Sequence, residues 1–541
     1  MGSERMRAEP LCDDVTRRVL GVPVLRARFA PDSHDAQEQS RALFTESLPR
    51  DRTSFDALRQ RHVVLEAWWD GLEDPGRRGV RAALAGLPPM HRVRAIMEQA
   101  AGASVACEQE LFVLKRWALG ARAVLARATG AVVSEREARA ALLESVLELL
   151  HPEEPYAAHF HLSSALDASL AAAREDTRRK RTRVRELEGA VHASIAEDHL
   201  GMRLRLDGAM TMPSRSSMAA REAAARDDRM VQRAGVWHMT DDVVRAAREE
   251  LDVAMAEEER CSGVVCAALT ERVRALWVEL SALADAVVCL DVGLAKVRLK
   301  QDIGGCWPEW RGEDGIELEH GVGVHLLEDA QRVSVRVHAP LVVITGPNMG
   351  GKSSLLGLVG LCQWCMQHGM PAPAKVYRAP WCAQIVYVGS DGDPRTPGLS
   401  SFGREVRRIV DALETPRPRM WLFDELGRGT HPEEGARLAS KILRALIDRG
   451  DRALAATHFP EVARLEEAQK LRVRGLDDLS EGASGAVYEA DSAQALAQAL
   501  RAVMDYQPVE VNAHDPPRDA ERVARWLGLG VLIAPVDPPG D

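Results

Sequence analysis

The sequence predicts two architectures in one chain. An α/β phosphate-loop domain occupies the C-terminal half, and an all-α core with a long helical lever precedes it. Three observations carry this. Residues 341–345, Leu-Val-Val-Ile-Thr, form a buried-strand run that leads directly into Gly346-Pro347-Asn348-Met349-Gly350-Gly351-Lys352-Ser353. Strand-like and helix-like segments then alternate to about Leu465, the pattern of a largely parallel sheet. Before residue 300 the apolar spacing is three and four residues over long stretches, which is the period of a helix.

Composition fits this division. The chain has 541 residues, enough for several buried cores. Hydrophobic residues make up 46% and charged residues 28%, ordinary for a folded protein. Aromatics are only 4%, so Ala, Leu and Val must build the cores, which favours helices. A net charge of −10 excludes a protein that coats nucleic acid through its overall charge, and any DNA contact needs a local positive stripe. No run of about 18 apolar residues is present, so no membrane span is expected. The opening residues lack the apolar stretch of a signal peptide. Nine cysteines without paired spacing predict free thiols and a cytoplasmic location.

Taken in order, residues 1–53 read as an irregular entry segment with Pro, Asp and Ser. Residues 54–162 read as a helical core. Within it, Glu108 to Leu119 buries one face, and a second helix over 134–151 is opened by Ser134 with Glu137 at capping-box spacing. Residues 163–300 read as a lever: a helix rich in Arg and Glu over 163–200, then alternation from Met202 to Met212 that suits a short strand pair. A polar exposed tip follows at 213–235, and helix resumes from Thr240-Asp241-Asp242 to about Lys300. Two long helices flanking a tip predict an antiparallel hairpin. Residues 301–470 form the α/β domain, and 471–541 a tail with one helix over 518–529.

The chemistry concentrates in the α/β domain. Residues 346–353 fit G-x-x-x-x-G-K-[ST] between a strand and a helix. Glycines let backbone N–H groups face a phosphate, and the helix N-terminus adds a favourable dipole. Lys352 is then placed to reach the β- and γ-phosphates, and Ser353 to hold Mg²⁺. Met420-Trp421-Leu422-Phe423-Asp424-Glu425 reads as a central strand with two carboxylates at its C-terminal end, where ligands of such sheets bind. Asp424 is expected to complete the Mg²⁺ shell, and Glu425 to align and deprotonate the attacking water. His458 leaves a further strand, 452–457. A lone histidine there is usually incidental, but its place in the motif order suggests a γ-phosphate sensor. Gly398-Leu399-Ser400-Ser401-Phe402 opens another helix and can offer N–H groups and hydroxyls to a phosphate. Taken alone it reads as a cap, with Ser401 capping and Glu405 in the first turns.

Together the loop at 346–353, the Gly-x-Ser-Ser-Phe segment, Asp-Glu-Leu-Gly-Arg-Gly-Thr at 424–430 and Ala-Thr-His at 456–458 resemble the MutS family, DNA mismatch-repair-type ATPases of the ABC class. The resemblance covers about 320–465. It implies an ABC-type domain that hydrolyses ATP to ADP and phosphate with Mg²⁺. Nucleotide contacts would come from Gly346, Pro347, Asn348, Met349, Gly350, Gly351, Lys352, Ser353 and Ser354, with Asn348 helping to close the site. It also implies a homodimer in which Ser400 and Ser401 reach the partner's γ-phosphate and residues 427–430 line the seam. Two composite ATP sites would then gate a clamp on DNA. His325-Leu326-Leu327-Glu328 resembles the family's lead-in to the nucleotide.

Other features mark departures from full-length mismatch readers. Phe44-Thr45-Glu46 has the letters of the family's mismatch reader, but its surroundings do not match, and it reads as a helix face. The chain therefore resembles a short member lacking the mismatch-reading domain. Residues 430–435 also resemble shorter subfamilies. Some of these act on recombination intermediates, and others reactivate cobalamin-dependent aminomutases, so a protein client without DNA is the alternative. No nuclease-type module is evident in 470–541. The arginine run over 174–185 is broken by acids and reads as a solvated helix face. Cys362 and Cys365 read as core thiols.

Overall fold

The computed structural model describes residues 10–48, 50–100, 103–150, 164–199, 202–204, 210–212, 216–233, 236–312, 315–327, 330–347, 350–389, 400–475 and 504–511. Residues 1–32, 36–77 and 289–541 form one compact unit, and residues 33–35 and 78–288 another.

The described chain opens with helices α1 (Asp14–Val19), α2 (Val22–Arg28), α3 (His34–Gln39) and α4 (Arg52–Asp70). The segment expected to be irregular is thus mostly short helices. Helices of six or seven residues are not stable alone; tertiary burial holds these. Leu11, Leu20, Val22, Leu25 and Phe29 lie in the same core as Val342 and Ile344. The Asp13 carboxylate caps α1 by accepting from Thr16 N at 2.7 Å.

The second unit carries α5 (Asp74–Ala85, shared at its start with the first unit), α6 (His91–Met97), α7 (Glu108–Leu125) and α8 (Arg136–Leu150). Helix α8 starts two residues beyond Ser134, after Glu135 at φ +54°, so the expected capping box does not open it. The lever is α9 (Ala168–Asp198), a tip, and α11 (Asp242–Ala275). Ion pairs Arg174–Glu258 at 3.5 Å, Arg183–Glu250 at 3.4 Å and Arg248–Glu188 at 2.6 Å run in opposite chain order, so the two helices are antiparallel as expected. Arg178 pairs with Glu175, and Arg179 and Lys180 with Asp176, which makes much of the arginine run a self-neutralised face.

The tip is more than a polar loop. Strands β1 (Arg203–Leu204), β2 (Met210–Thr211), β3 (Met230–Arg233) and β4 (Val236–Met239) form an antiparallel sheet in the order β1-β2-β4-β3, with α10 (Met218–Ala225) beside it. Met202, Met210, Met230 and Trp237 bury together with Ile195 and Ala224. Met202 and Met210 fall within the alternation expected of a strand pair, whereas Met230 and Trp237 lie on later strands of four residues that no long period announces. The helix expected to continue to Lys300 is two helices: α11 stops at Ala275, and α12 (Trp277–Asp302) begins after Leu276.

The C-terminal part holds β5 (Glu309–Trp310), β6 (Ile316–Gly321), β7 (Val333–Val337), β8 (Leu341–Thr345), α13 (Lys352–Gln367), β9 (Val376–Ala379) and β10 (Gln384–Val388). It continues with α14 (Ser401–Leu413), β11 (Arg419–Asp424), α15 (Pro432–Asp448), β12 (Arg452–Ala456), α16 (Pro460–Ala463), β13 (Gln469–Gly475) and β14 (Asp505–Glu510). A six-stranded sheet has the order β10-β11-β12-β8-β13-β14, parallel up to β13, with β14 antiparallel at the edge. A four-stranded sheet has the order β5-β9-β6-β7. On the large sheet, Val342, Ile344 and Leu422 pack with Leu356 and Val359 of α13 on one face. Val343, Trp421 and Phe423 pack with Ile409 of α14 and Leu443 of α15 on the other. Burial on both faces explains why β8 and β11 read as continuous apolar runs. The tail contributes β14, which was not expected; the helix expected over 518–529 lies outside the described residues. Among the described residues no helix is long and apolar enough to cross a membrane.

Candidate functional site

The site assembles at the C-terminal ends of β8, β12 and β11, adjacent in the sheet. The loop after β8 ends at Gly351, which has φ +83° and caps α13. A Cβ there would lie 2.8 Å from Cδ1 of Tyr506 on β14, so only glycine fits both the backbone and the ring against it. As a glycine, this cap offers no side chain to the first-turn amides of α13, leaving them for an anion. Ser353 and Ser354 are exposed on that first turn. Asn348 and Met349 lie outside the described residues.

Lys352 is 6% exposed, and its Nζ donates to Gly346 O at 3.0 Å and Pro347 O at 2.9 Å. Burial pushes its pKa down, opposed by the charges of Glu425 and Asp424. The lysine and both carboxylates therefore share one electrostatic environment. Asp424 closes β11 beside Ala456 of β12, and its Oδ2 accepts from Tyr387 Oη at 2.9 Å. Glu425 follows at φ +61°, a left-handed conformation uncommon outside glycine. Its N donates to Ala456 O at 3.0 Å, which fixes that backbone against β12. Its Oε1 lies 3.1 Å from His458 Nε2, and its Oε2 accepts from Arg428 Nη1. Burial, then Lys352, pushes the His458 pKa down, partly countered by Glu425. These influences favour the neutral imidazole, and in that form the contact with Glu425 suits the Nε2–H tautomer.

The Ser-Ser segment lies close by. Ser400 caps α14, accepting from Gly403 N at 3.1 Å, so the cap is one residue earlier than the expected Ser401. A Cβ on Gly429 would come within 2.9 Å of Phe402 N, so the loop after Glu425 lies directly against the first turn of α14. Glu405 is not a first-turn ornament: its Oε2 accepts from Gly427 N at 2.9 Å in a buried setting that raises its pKa.

Lys352, Asp424, Glu425 and His458 are thus brought together, and Ser353 and Ser354 share their edge of the sheet. Sequence reasoning missed Tyr387 and Tyr506, and it placed Glu405 in the first turns of its helix without finding its partner Gly427. Both tyrosines act through partners far away in sequence, and neither stands in a recognisable motif. The oxygen donors fit Mg²⁺: a serine hydroxyl and one carboxylate leave room for waters and substrate phosphates, as that ion prefers. Phe44 is 4% exposed and stacked at 5.8 Å on Trp364, a core position. Cys362 and Cys365 are buried in the same core.

Residues 342–487 match the family model of MutS domain V. This match bears out the MutS resemblance for the C-terminal part of the chain. Its MutS relatives include proteins named Endonuclease MutS2. That of Streptococcus sanguinis is 38% identical over 177 residues, 32% of this chain and 23% of the relative. That of Thermomicrobium roseum is 33% identical over 211 residues, 36% and 26% of the two chains. That of Streptococcus pneumoniae serotype 19F is 30% identical over 303 residues, 54% and 39%. The aligned parts span between about a quarter and two-fifths of these relatives' length.

Proposed function

We propose that this MutS-family chain is a Mg²⁺-dependent ATPase that serves DNA recombination or repair. The observation that carries the reading is the convergence of Lys352, Asp424, Glu425 and His458 at the ends of three adjacent strands, below an N-terminal helix turn open to phosphate. In this reading the domain is a phosphate-loop fold of the ABC type. Lys352 exchanges its two loop carbonyls for phosphate oxygens. Ser353 and Asp424 hold the Mg²⁺, which neutralises charge on the β- and γ-phosphates when bound. Glu425 accepts the proton of the attacking water, and His458 orients that carboxylate and senses the γ-phosphate. Backbone N–H groups of the 346–354 turn, including Asn348 and Met349, hold the phosphates.

The DNA assignment is carried by the relatives, whose printed name joins MutS2 to an endonuclease activity. Their aligned parts are fractions, so nuclease chemistry is not assigned to this chain. We assign the Ser400–Ser401 turn and the 427–430 loop to a homodimer seam, each composing the partner's ATP site. The lever then transmits closure to DNA.

Steady-state ATPase tests this, with and without duplex, mismatched and branched DNA at low and moderate salt. The expected result is turnover lost in Glu425→Gln and stimulated by DNA in a salt-sensitive way. Turnover indifferent to every DNA would overturn the DNA assignment and leave a protein client as the target. No turnover in the unaltered chain would overturn the ATPase itself.

A further inference from the structure

Strand β10 is the outer parallel strand of the six-stranded sheet, and among the described residues no strand pairs with its far side. Unpaired N–H groups on such an edge need partners. The N-terminal segment supplies them. Ile385 N donates to Leu11 O at 2.8 Å, and Tyr387 N donates to Thr16 Oγ1 at 3.2 Å. Arg408 of α14 ties the same point down. Its Nη2 donates to Thr16 Oγ1 and to Asp13 Oδ1, each at 2.9 Å, and its Nε donates to Tyr387 O. Thr16 is fully buried and Tyr387 is 3% exposed.

Register then decides where the phenol goes. Tyr387 lies opposite Leu422 on β11, and Asp424 is two residues further along the same face. The diagonal is within reach of a tyrosine, and its Oη donates to Asp424 Oδ2 at 2.9 Å. A donor on one carboxylate oxygen fixes the rotation of the group and leaves the other oxygen to a ligand. Slipping β10 by one residue would turn the phenol to the opposite face. The clasp of residues 11–16 is what opposes that slip on the open edge.

We propose that Tyr387 is a positioning residue for Asp424, held in register by the N-terminal segment 11–16, and that Mg²⁺-dependent nucleotide binding depends on it. The inference rests on the reading of Asp424 as a Mg²⁺ ligand. Groups that orient a metal ligand are typically worth about 10- to 100-fold in metal affinity.

Binding of a fluorescent ATP analogue, titrated in EDTA and across a Mg²⁺ series, tests it on the full chain. Tyr387→Phe removes one oxygen and keeps the ring. The expected result is metal-free binding unchanged within about twofold and half-saturating Mg²⁺ raised about 10-fold. Asp424→Asn raises it further, and the double variant adds nothing to Asp424→Asn. Unchanged half-saturating Mg²⁺ in Tyr387→Phe, or summed effects in the double variant, would overturn the proposal while leaving the ATPase reading intact. An unaltered chain that binds no nucleotide at any Mg²⁺ concentration would overturn both. Circular dichroism reports whether Tyr387→Phe folds. If it does not, Thr16→Val decides: the half-saturating Mg²⁺ moves the same way if the clasp sets the register, and an unmoved value overturns the proposal.

Discussion

Lys352 and Glu425 share one electrostatic environment, and their substitutions should fail in different ways. Lys352 already holds two carbonyls of the loop, and in the proposed reading it exchanges them for phosphate oxygens. Lys352→Met removes that charge from a site where Asp424 and Glu425 would then repel the nucleotide. Loss of ATP binding is the expected outcome, read by the same fluorescent titration. Glu425 is different. Its left-handed backbone and its two side-chain partners aim the carboxylate. Such strained residues cost about 1–3 kcal/mol and cluster where chemistry needs them. Glu425→Gln should therefore keep binding and lose about 10²- to 10⁴-fold in turnover, the range for a general base. Binding and turnover lost together in Glu425→Gln would show a structural role instead.

At the scale of elements, β11 positions the carboxylates, and one buried ion pair anchors its start. Asp451, fully buried, accepts from Arg419 N at 2.9 Å, Arg419 Nη1 at 3.1 Å and Trp421 Nε1 at 3.0 Å. Asp451→Ala leaves a buried guanidinium without its counter-charge. The expected loss is about 3–5 kcal/mol, read as a lower urea midpoint by fluorescence of the buried Trp421. Asp451→Asn keeps an acceptor for the backbone N–H and should lose less. The strands that carry the motifs were legible because each is a continuous apolar run ending in its own functional residue: β8 before the loop, β11 before Asp424, β12 before His458. Edge elements were not. β14 and β10 gain their place from partners across the sheet, and Tyr387 meets Thr16 over a separation of 371 residues. The same limit hid α1 and α2, whose six and seven residues give fewer than two helical turns to read. Motif residues announce themselves locally. Residues that hold them, such as Glu405 and Tyr387, depend on tertiary register.

Across the whole molecule, the sequence holds only eight lysines, and three of them, Lys115, Lys296 and Lys352, are buried. Lys296 of α12 is 4% exposed, and its Nζ lies 3.7 Å from where a Cβ on Gly369 would stand, just past the end of α13. Burial pushes its pKa down to about 8. His368, at the C-cap of α13, is pushed down to about 4 by burial, with Lys296 adding to the effect. Both groups bind fewer protons folded than unfolded within their windows, so stability rises with pH there. For His368 the contribution is complete above about pH 6.5 and is lost as pH falls toward 4. For Lys296 it is complete above about pH 10.5 and already lost at pH 8. At neutral pH the buried lysine therefore costs about 3 kcal/mol. Lys296→Met, similar in length and uncharged, should raise the urea midpoint at pH 7, with a gain that shrinks as pH climbs from 8 to 10.5. A midpoint that falls at pH 7 would mean that the ammonium is held by the carbonyl end of α13 more firmly than burial opposes it. Helix α12 would then be tied by charge to the end of α13, the helix that begins at Lys352.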